Sequence, residues 1–153
     1  MVKKILVIGS FLLYIVACVT FAFKGVITPE DNLRGILCLA LGWFSFTSGF
    51  PAFIAWLANF PYLISVVMVF ITKKTSMRFV AVILSILSLL LSFGAFGVTE
   101  IMKDEGGTMV PVTFGPGLFL WLLAIVSVLI ASVMPAEKKK VKIDYIHNPN
   151  PTV

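Results

Sequence analysis

Few side chains in this sequence could carry out chemistry, and the densest group is an acidic segment. Glu100, Asp104 and Glu105 lie close together and are followed by the letters "GGT". Three carboxylates could supply oxygen ligands to Ca²⁺, or hold a metal for an enzyme that acts on lipids. Their spacing matches no EF-hand loop, and a double glycine allows backbone angles that other residues avoid. The segment therefore favours a solvated turn.

The two cysteines, Cys18 and Cys38, both lie in apolar segments, and neither has a neighbour at metal-ligand spacing. The pattern is typical of small buried side chains, with a Cys18–Cys38 disulfide as the alternative. The letters "IVAC" also resemble a lipoprotein cleavage site, which would remove residues 1–17. The apolar run continues past Cys18 through "VTFAF", which favours an uncleaved first span.

Other catalytic groups are scarce. The single histidine, His147, lies in the C-terminal tail, and no Ser-His-Asp or Cys-His set can be assembled. The apolar runs contain no Asp, Glu, Lys, Arg or His, whereas proton relays and ion routes in membranes use such residues. No phosphate-binding glycine loop is present. We therefore predict a non-enzymatic protein without a cofactor.

Composition places these residues in a membrane. The chain has 153 residues, of which 59% are apolar and 12% are charged, and the mean hydropathy is +1.06. Charge-free apolar runs cover 5–23, 35–72, 79–99 and 114–134. About 20 apolar residues span a bilayer as a helix, and these runs do not alternate as barrel strands do. The sequence predicts an all-α membrane protein with no separate soluble domain and no nucleic-acid-binding surface.

The number of spans depends on the run 35–72. Its 38 residues would form about 57 Å of helix, just enough for two crossings. However, 35–50 alone gives about 24 Å, which is short of the roughly 30 Å hydrocarbon core. Pro51 suits the first turn of a true span. Both topologies place nine basic residues inside and three outside, but a Lys3–Lys4 pair before the first run is typical of a cytoplasmic N-terminus. Four spans are favoured, with five as the alternative.

The predicted layout is a four-helix transmembrane bundle over 1–136, followed by a basic cytoplasmic tail over 137–153. The spans cover about 5–23, 52–72, 79–98 and 114–134, and 35–50 forms a short re-entrant or interfacial helix on the outer face. Both termini are expected to be cytoplasmic in a multi-pass membrane protein. The tail's candidate contacts with anionic lipid are Lys138, Lys139, Lys140 and Lys142. The remainder of the tail has two Asn-Pro pairs, is expected to be extended, and could dock a cytosolic partner.

An amide and a proline inside the second span mark the best candidate contact site. Pro61 cannot donate to the carbonyl of Leu57, so a kink is expected. An unpaired Asn59 amide would be costly there, so it should bond a neighbouring helix or the loosened backbone. If Asn59 only packs, Asn59→Leu should weaken the bundle; if it contacts a partner, the fold should survive. Trp43 and Trp56 suit an outer aromatic belt and join Asn59 and Pro61 as candidate partner or ligand contacts.

Small residues predict how the helices pack. In the third span Ala81, Ser85, Ser88 and Ser92 are spaced 4, 3 and 4 apart, which keeps them on one helix face. The fourth span has small residues seven apart, and its Trp121 is expected to pack rather than to join the aromatic belt. The same serines could alternatively line a path for a solute.

Three fragments carry a family resemblance. "GWFSFTSGFPAFIAWLANFPYLISVVMVFITKK", "KDEGGT" and "GPGLFLWLL" resemble segments of small bacterial integral-membrane proteins of uncharacterised activity. The resemblance covers 42–134, and this sequence departs from it by placing Phe60 between Asn59 and Pro61. It implies a bacterial inner-membrane setting and no particular reaction.

Two functional hypotheses follow. The first is a non-enzymatic membrane protein that binds a membrane partner through its helix faces, as an immunity protein or an accessory subunit does. The alternative is a subunit of a homo-oligomeric channel or transporter for a small uncharged solute.

Overall fold

A computed structural model of the protein describes residues 2–46, 49–71, 75–102 and 106–135. In these ranges, four helices are long and apolar enough to cross a membrane: Val2–Val19, Phe50–Ile71, Ser76–Gly97 and Pro116–Val133. The predicted four-helix arrangement is confirmed at this level. The run 35–72 contains one such helix, preceded by a shorter apolar helix over Gly35–Phe46. The tail and its four lysines lie outside the described residues.

The elements follow one another in a simple order. Helix α1 (Val2–Val19) leads to strands β1 (Phe21–Gly25) and β2 (Leu33–Arg34), and then to α2 (Gly35–Leu41) with a 3₁₀ extension, Gly42–Phe46. Helices α3 (Phe50–Leu57) and α4 (Asn59–Ile71) form the second long helix, and α5 (Thr75–Ser92) continues as a 3₁₀ turn, Phe93–Gly97. Strands β3 (Glu100–Met102) and β4 (Met109–Phe114) precede α6 (Pro116–Val133).

A four-stranded antiparallel sheet, in the order β2-β1-β4-β3, was not predicted. The all-α class is therefore incomplete. Phe23 pairs with Phe114, and Ile101 pairs with Val110. The predicted first span, 5–23, is wrong at its end because α1 stops at Val19 and β1 begins at Phe21. The apolar strand "FAF" simply extended the apolar run of the helix, so composition alone could not separate the two.

The sheet fixes which helix ends meet. Strand β1 follows α1 directly and pairs with β4, which leads directly into α6. The start of α3 packs against the 3₁₀ turn that follows α5, where Gly94 lies against the backbone of Pro51. We call the end of the bundle that holds the sheet and these helix ends the sheet end. At the opposite end, the guanidinium of Arg78 donates to the carbonyl of Met134. The N-terminus of α1 and the C-terminus of α6 therefore lie at the same end of the bundle.

The helices pack through their small residues. Helix α1 contacts α6 most extensively, and α5 contacts both α4 and α6. Ala124 and Ala131 of α6 are fully buried, as is Ala81 of α5. Bulky residues of the same helices, such as Leu123 and Leu90, are exposed on the outer surface. Close approach of small side chains is how helices associate in lipid, where apolar burial gives little driving force.

Candidate functional site

A cavity of about 630 Å³ lies at the sheet end, between the sheet, the short helix α2 and the ends of the long helices. We call it the sheet-end cavity. Its walls are mainly apolar and include Phe23 of β1, Ile101 of β3 and Leu118 of α6. The mouth is rimmed by exposed apolar side chains and one exposed carboxylate: Leu37, Leu41, Phe44, Met102 and Glu100. Ligand pockets commonly have volumes of roughly 300–1,000 Å³ and mostly apolar walls, so this cavity has the size and lining of a binding site.

Asn59 forms the polar floor of the cavity, together with one side chain from each of two other helices. Its Oδ1 accepts hydrogen bonds from the Tyr14 hydroxyl (3.1 Å) and from Trp121 Nε1 (3.0 Å). Its Nδ2 donates to the carbonyl of Trp56 (2.8 Å). Because an indole can only donate, the bond from Trp121 fixes which atom of the amide is the oxygen. One amide thus joins α1, α6 and the backbone of α3.

The helix break beside Asn59 explains its position. Helix α3 ends at Leu57 and α4 begins at Asn59, with Ala58 between them. Pro61 has no N–H to donate to the carbonyl of Leu57, so the regular ladder of hydrogen bonds cannot continue through this turn. The Asn59 amide takes the carbonyl of Trp56, and the Ser88 hydroxyl donates to the carbonyl of Ala58 (2.8 Å). The missing N–H of Pro61 accounts for the break, and the side chains of Asn59 and Ser88 donate to the carbonyls on either side of Leu57.

Beneath the floor, the bundle is closed by a second polar cluster. The rings of Tyr14 and Tyr62 stack with their centroids 4.9 Å apart. The hydroxyls of Tyr62 and Ser10 are hydrogen-bonded (2.9 Å), and Ser10 Oγ donates to the carbonyl of Ala124 (2.7 Å). Tyr62 and Ser10 are fully buried. The cavity therefore ends at Asn59 instead of continuing along the bundle axis.

Helix α2 and its 3₁₀ extension cover one side of the cavity and are attached at two points. At the start of α2, the N–H of Gly35 donates to the carbonyl of Thr20 (2.9 Å). At its end, Trp56 Nε1 donates to the carbonyl of Leu39 (2.9 Å), and Gly42 packs against the same indole ring. A Cβ at Gly42 would lie only 2.6 Å from Trp56 Cγ. Every residue of α2 keeps part of its surface exposed, and Cys38 is half-buried, so this cover is held mainly at its ends.

Both cysteines line the cavity as free thiols. Cys18 lies at the end of α1, and Cys38 lies on α2, which begins against Cys18 at Gly35. Burial raises the pKa of the Cys38 thiol to about 12, so it stays protonated at neutral pH. The thiols add weakly polar surface to the walls without charge.

Of the four predicted contact residues, the structure places two in the cavity. Trp56 and Asn59 line it, whereas Pro61 is buried within α4 outside its lining. Trp43 is 48% exposed beside Phe44, on the outer side of the cover. Trp121, which the sequence placed among packing residues, reaches the floor.

Sequence reasoning missed Tyr14. Its spacing from Ser10 and Ala17, four and three residues, puts it on the small-residue face of α1 and could have drawn attention to it. A large hydroxyl-bearing ring on such a face needs a partner from another helix.

The predicted serine face is buried between helices. Ser85, Ser88 and Ser92 are each 0% exposed. The Ser85 hydroxyl bonds Ser65 and the carbonyl of Ala81, and the Ser92 hydroxyl donates to the carbonyl of Leu89 (2.6 Å). Their hydrogen-bonding capacity is used within the bundle.

The acidic segment is only partly described. Glu100 lies on β3 at the cavity mouth, while Asp104 and Glu105 fall outside the described residues. Among the residues that are described, no three His, Cys, Asp or Glu side chains come close enough to hold a metal ion.

Comparisons with known proteins give no relative: no family model matches the chain, and no curated protein or solved structure matches it significantly. The resemblance to small bacterial membrane proteins therefore stays a prediction.

Proposed function

We propose that this chain is a non-enzymatic integral membrane protein that binds an apolar, lipid-like molecule in the sheet-end cavity. The observation that carries the proposal is the cavity itself, about 630 Å³ and mainly apolar, with exposed apolar residues around its mouth. In a chain whose four long helices suit a bilayer, such a mouth faces hydrocarbon or the lipid interface. The molecules available at that depth are lipids and other apolar compounds.

The size of the cavity supports a small molecule over a protein segment. A helix with its side chains is about 10 Å wide, so a 630 Å³ space would be filled by about 8 Å of helix, or roughly five residues. A transmembrane helix of a partner would need several times that length. A single lipid acyl chain is much narrower than a helix with its side chains.

The faces that the sequence analysis singled out are used inside the bundle, so we base the proposal on the cavity. Partner binding through small-residue faces would require those faces to be free, but Ser85, Ser88, Ala124 and Ala131 are fully buried within the bundle. A solute path along the serines would require free hydroxyls, whereas these hydroxyls bond each other and the backbone. A molecule bound in the sheet-end cavity would contact surface that is not used for packing between the helices.

The charges support an orientation with the sheet end outside. Among the described residues, the opposite end carries Lys3, Lys4 and Arg78 and no acidic residue. At the sheet end, Lys24 and Arg34 are accompanied by Glu30, Asp31 and Glu100. Basic residues in short loops favour the cytoplasm, so we propose that the start of α1 and the end of α6 lie inside and the cavity lies in the outer half of the membrane. A bacterial plasma membrane is proposed from the sequence resemblance alone.

Quenching of tryptophan fluorescence tests this function. Trp43 lies outside the cavity, so Trp43→Phe leaves Trp56 and Trp121, both of which line it. In lipid nanodiscs, 1-bromododecane should quench this variant in a saturable manner at low mole fraction. Cys38→Phe should remove the saturable component by filling the cavity. Ile36→Phe, which changes an exposed residue of the same helix, should retain it. Quenching that rises linearly in all three proteins would refute the proposal.

A further inference from the structure

The polar groups of the cavity walls are few, and nearly all of their strong donors are occupied. The Tyr14 hydroxyl and Trp121 Nε1 donate to Asn59, Trp56 Nε1 donates to Leu39, and the Ser45 hydroxyl donates to Gly42. These are the hydroxyl and indole donors among the described residues that line the cavity. The hydrogen-bonding capacity that is left for an occupant belongs to the side-chain amide of Asn59.

The Asn59 amide has one hydrogen-bonding group left. Its oxygen can accept two hydrogen bonds and receives two, from Tyr14 and Trp121. Its nitrogen carries two hydrogens, of which one goes to the carbonyl of Trp56. Asn59 lines the cavity and is 9% exposed. A donor left without a partner in apolar surroundings is costly, so an occupant that accepts this hydrogen gains over one that cannot.

The charge of the cavity walls further limits the chemical class of the occupant. Glu100 at the mouth is the one charged residue among the described residues of the lining, and no Lys or Arg is present there. Lys24 and Arg34 belong to the sheet but do not line the cavity. An anionic headgroup would find no cation inside and one carboxylate at the mouth, which disfavours it.

We infer that the occupant is an uncharged long-chain lipid with an oxygen, of the alcohol or ketone type, that accepts the second amide hydrogen of Asn59. The inference rests on the proposed function, because it specifies the chemistry of the same site. A long-chain alcohol fits best. Its oxygen can accept from Asn59 while its own hydrogen is donated to the oxygen of Tyr14, which retains an accepting lone pair.

Three brominated chains of equal length test the inference in the Trp43→Phe protein: 12-bromododecan-1-ol, 1-bromododecane and ionised 12-bromododecanoate. Each half-saturation point is expressed as a mole fraction in the nanodisc lipid, so that differences in partitioning into the bilayer do not affect the comparison of the probes. The alcohol should saturate at a mole fraction about three- to tenfold lower than the bromoalkane, as one neutral hydrogen bond allows. The carboxylate should bind more weakly than the alcohol.

Variants of the Trp43→Phe protein test whether the preference for the alcohol depends on Asn59. In Asn59→Leu combined with Tyr14→Phe and Trp121→Phe, the preference for the alcohol over the bromoalkane should fall to about one, because the amide donor and the two donors that its oxygen had occupied are all gone, and Trp56 still reports quenching. Ile64→Leu, an exposed position on the same helix, should keep the full preference. Since the preference compares two probes on one protein, a change in stability does not alter it.

The outcomes separate the two proposals. If none of the probes gives saturable quenching, the proposed function fails. If the alcohol and the bromoalkane saturate equally in the Trp43→Phe protein, the function stands and the inference is overturned. Binding of the carboxylate at or below the mole fraction of the alcohol also overturns it. These comparisons need no Asn59 variant and hold even if Asn59→Leu does not fold.

Discussion

Replacing Asn59 by leucine should destabilise the bundle measurably. The substitution keeps a side chain of similar size but removes three hydrogen bonds, to Tyr14, Trp121 and the carbonyl of Trp56. Interhelical hydrogen bonds in membrane proteins contribute about 0.6 kcal/mol each on average and up to about 1.7 kcal/mol. The bonds to Tyr14 and Trp121 are interhelical and the bond to the carbonyl of Trp56 lies within the second long helix; with about 0.5–1 kcal/mol for that local bond, the three together amount to about 2 kcal/mol.

Thermal unfolding in detergent gives the corresponding measurement. For a chain of this length, about 2 kcal/mol lowers Tm by roughly 4–8 °C. Ile64→Leu, on the exposed face of the same helix, should leave Tm within about 1 °C. A Tm for Asn59→Leu equal to that of Ile64→Leu would refute the assignment of Asn59 as the link between α1, α3 and α6.

A double-mutant cycle tests the individual bond. Tyr14→Phe removes the hydroxyl that donates to Asn59 Oδ1 and leaves the ring stacked on Tyr62. The effects of Tyr14→Phe and Asn59→Leu should be less than additive by about 0.6 kcal/mol. Strict additivity would mean that the 3.1 Å contact contributes nothing to stability.

Three further outcomes are expected. Ser85→Val should overpack a fully buried position and cost about 1–3 kcal/mol in thermal unfolding, whereas Ser76→Val at an exposed position of the same helix should have little effect; equal Tm values would contradict the buried serine face. Gly42→Ala should press on the adjacent indole and change its fluorescence, while Gly9→Ala, which meets nothing within 4 Å, should leave the spectrum unchanged; identical spectra would count against the close contact. Alkylation of Cys38 by a maleimide should be slow at pH 7 and rise about tenfold per pH unit towards its pKa of about 12, because only the thiolate reacts; a rate that levels off near pH 8 would contradict its burial.

The sequence determined the environment and the number of long helices. Charge-free runs of about 20 residues predict helices in a bilayer, because each backbone group of a spanning segment must be bonded within that segment, although the run 5–23 ends in strand β1. Residues 35–50 were too short to cross, and the structure contains one long helix in the run 35–72. The need of the Asn59 amide for partners also followed from local chemistry, since a lone amide in an apolar helix is costly.

Only the tertiary structure decided the sheet, the identity of the Asn59 partners and the cavity. Phe23 and Phe114 pair across about 90 residues of chain, and no local pattern encodes such a pairing. Tyr14 and Trp121 meet Asn59 because α1 and α6 pack together beside the helix break, which depends on the fit of whole helix faces. The cavity is the space that α2, the sheet and the helix ends leave between them, so it belongs to no single segment of the sequence and appears only when all of them are in place.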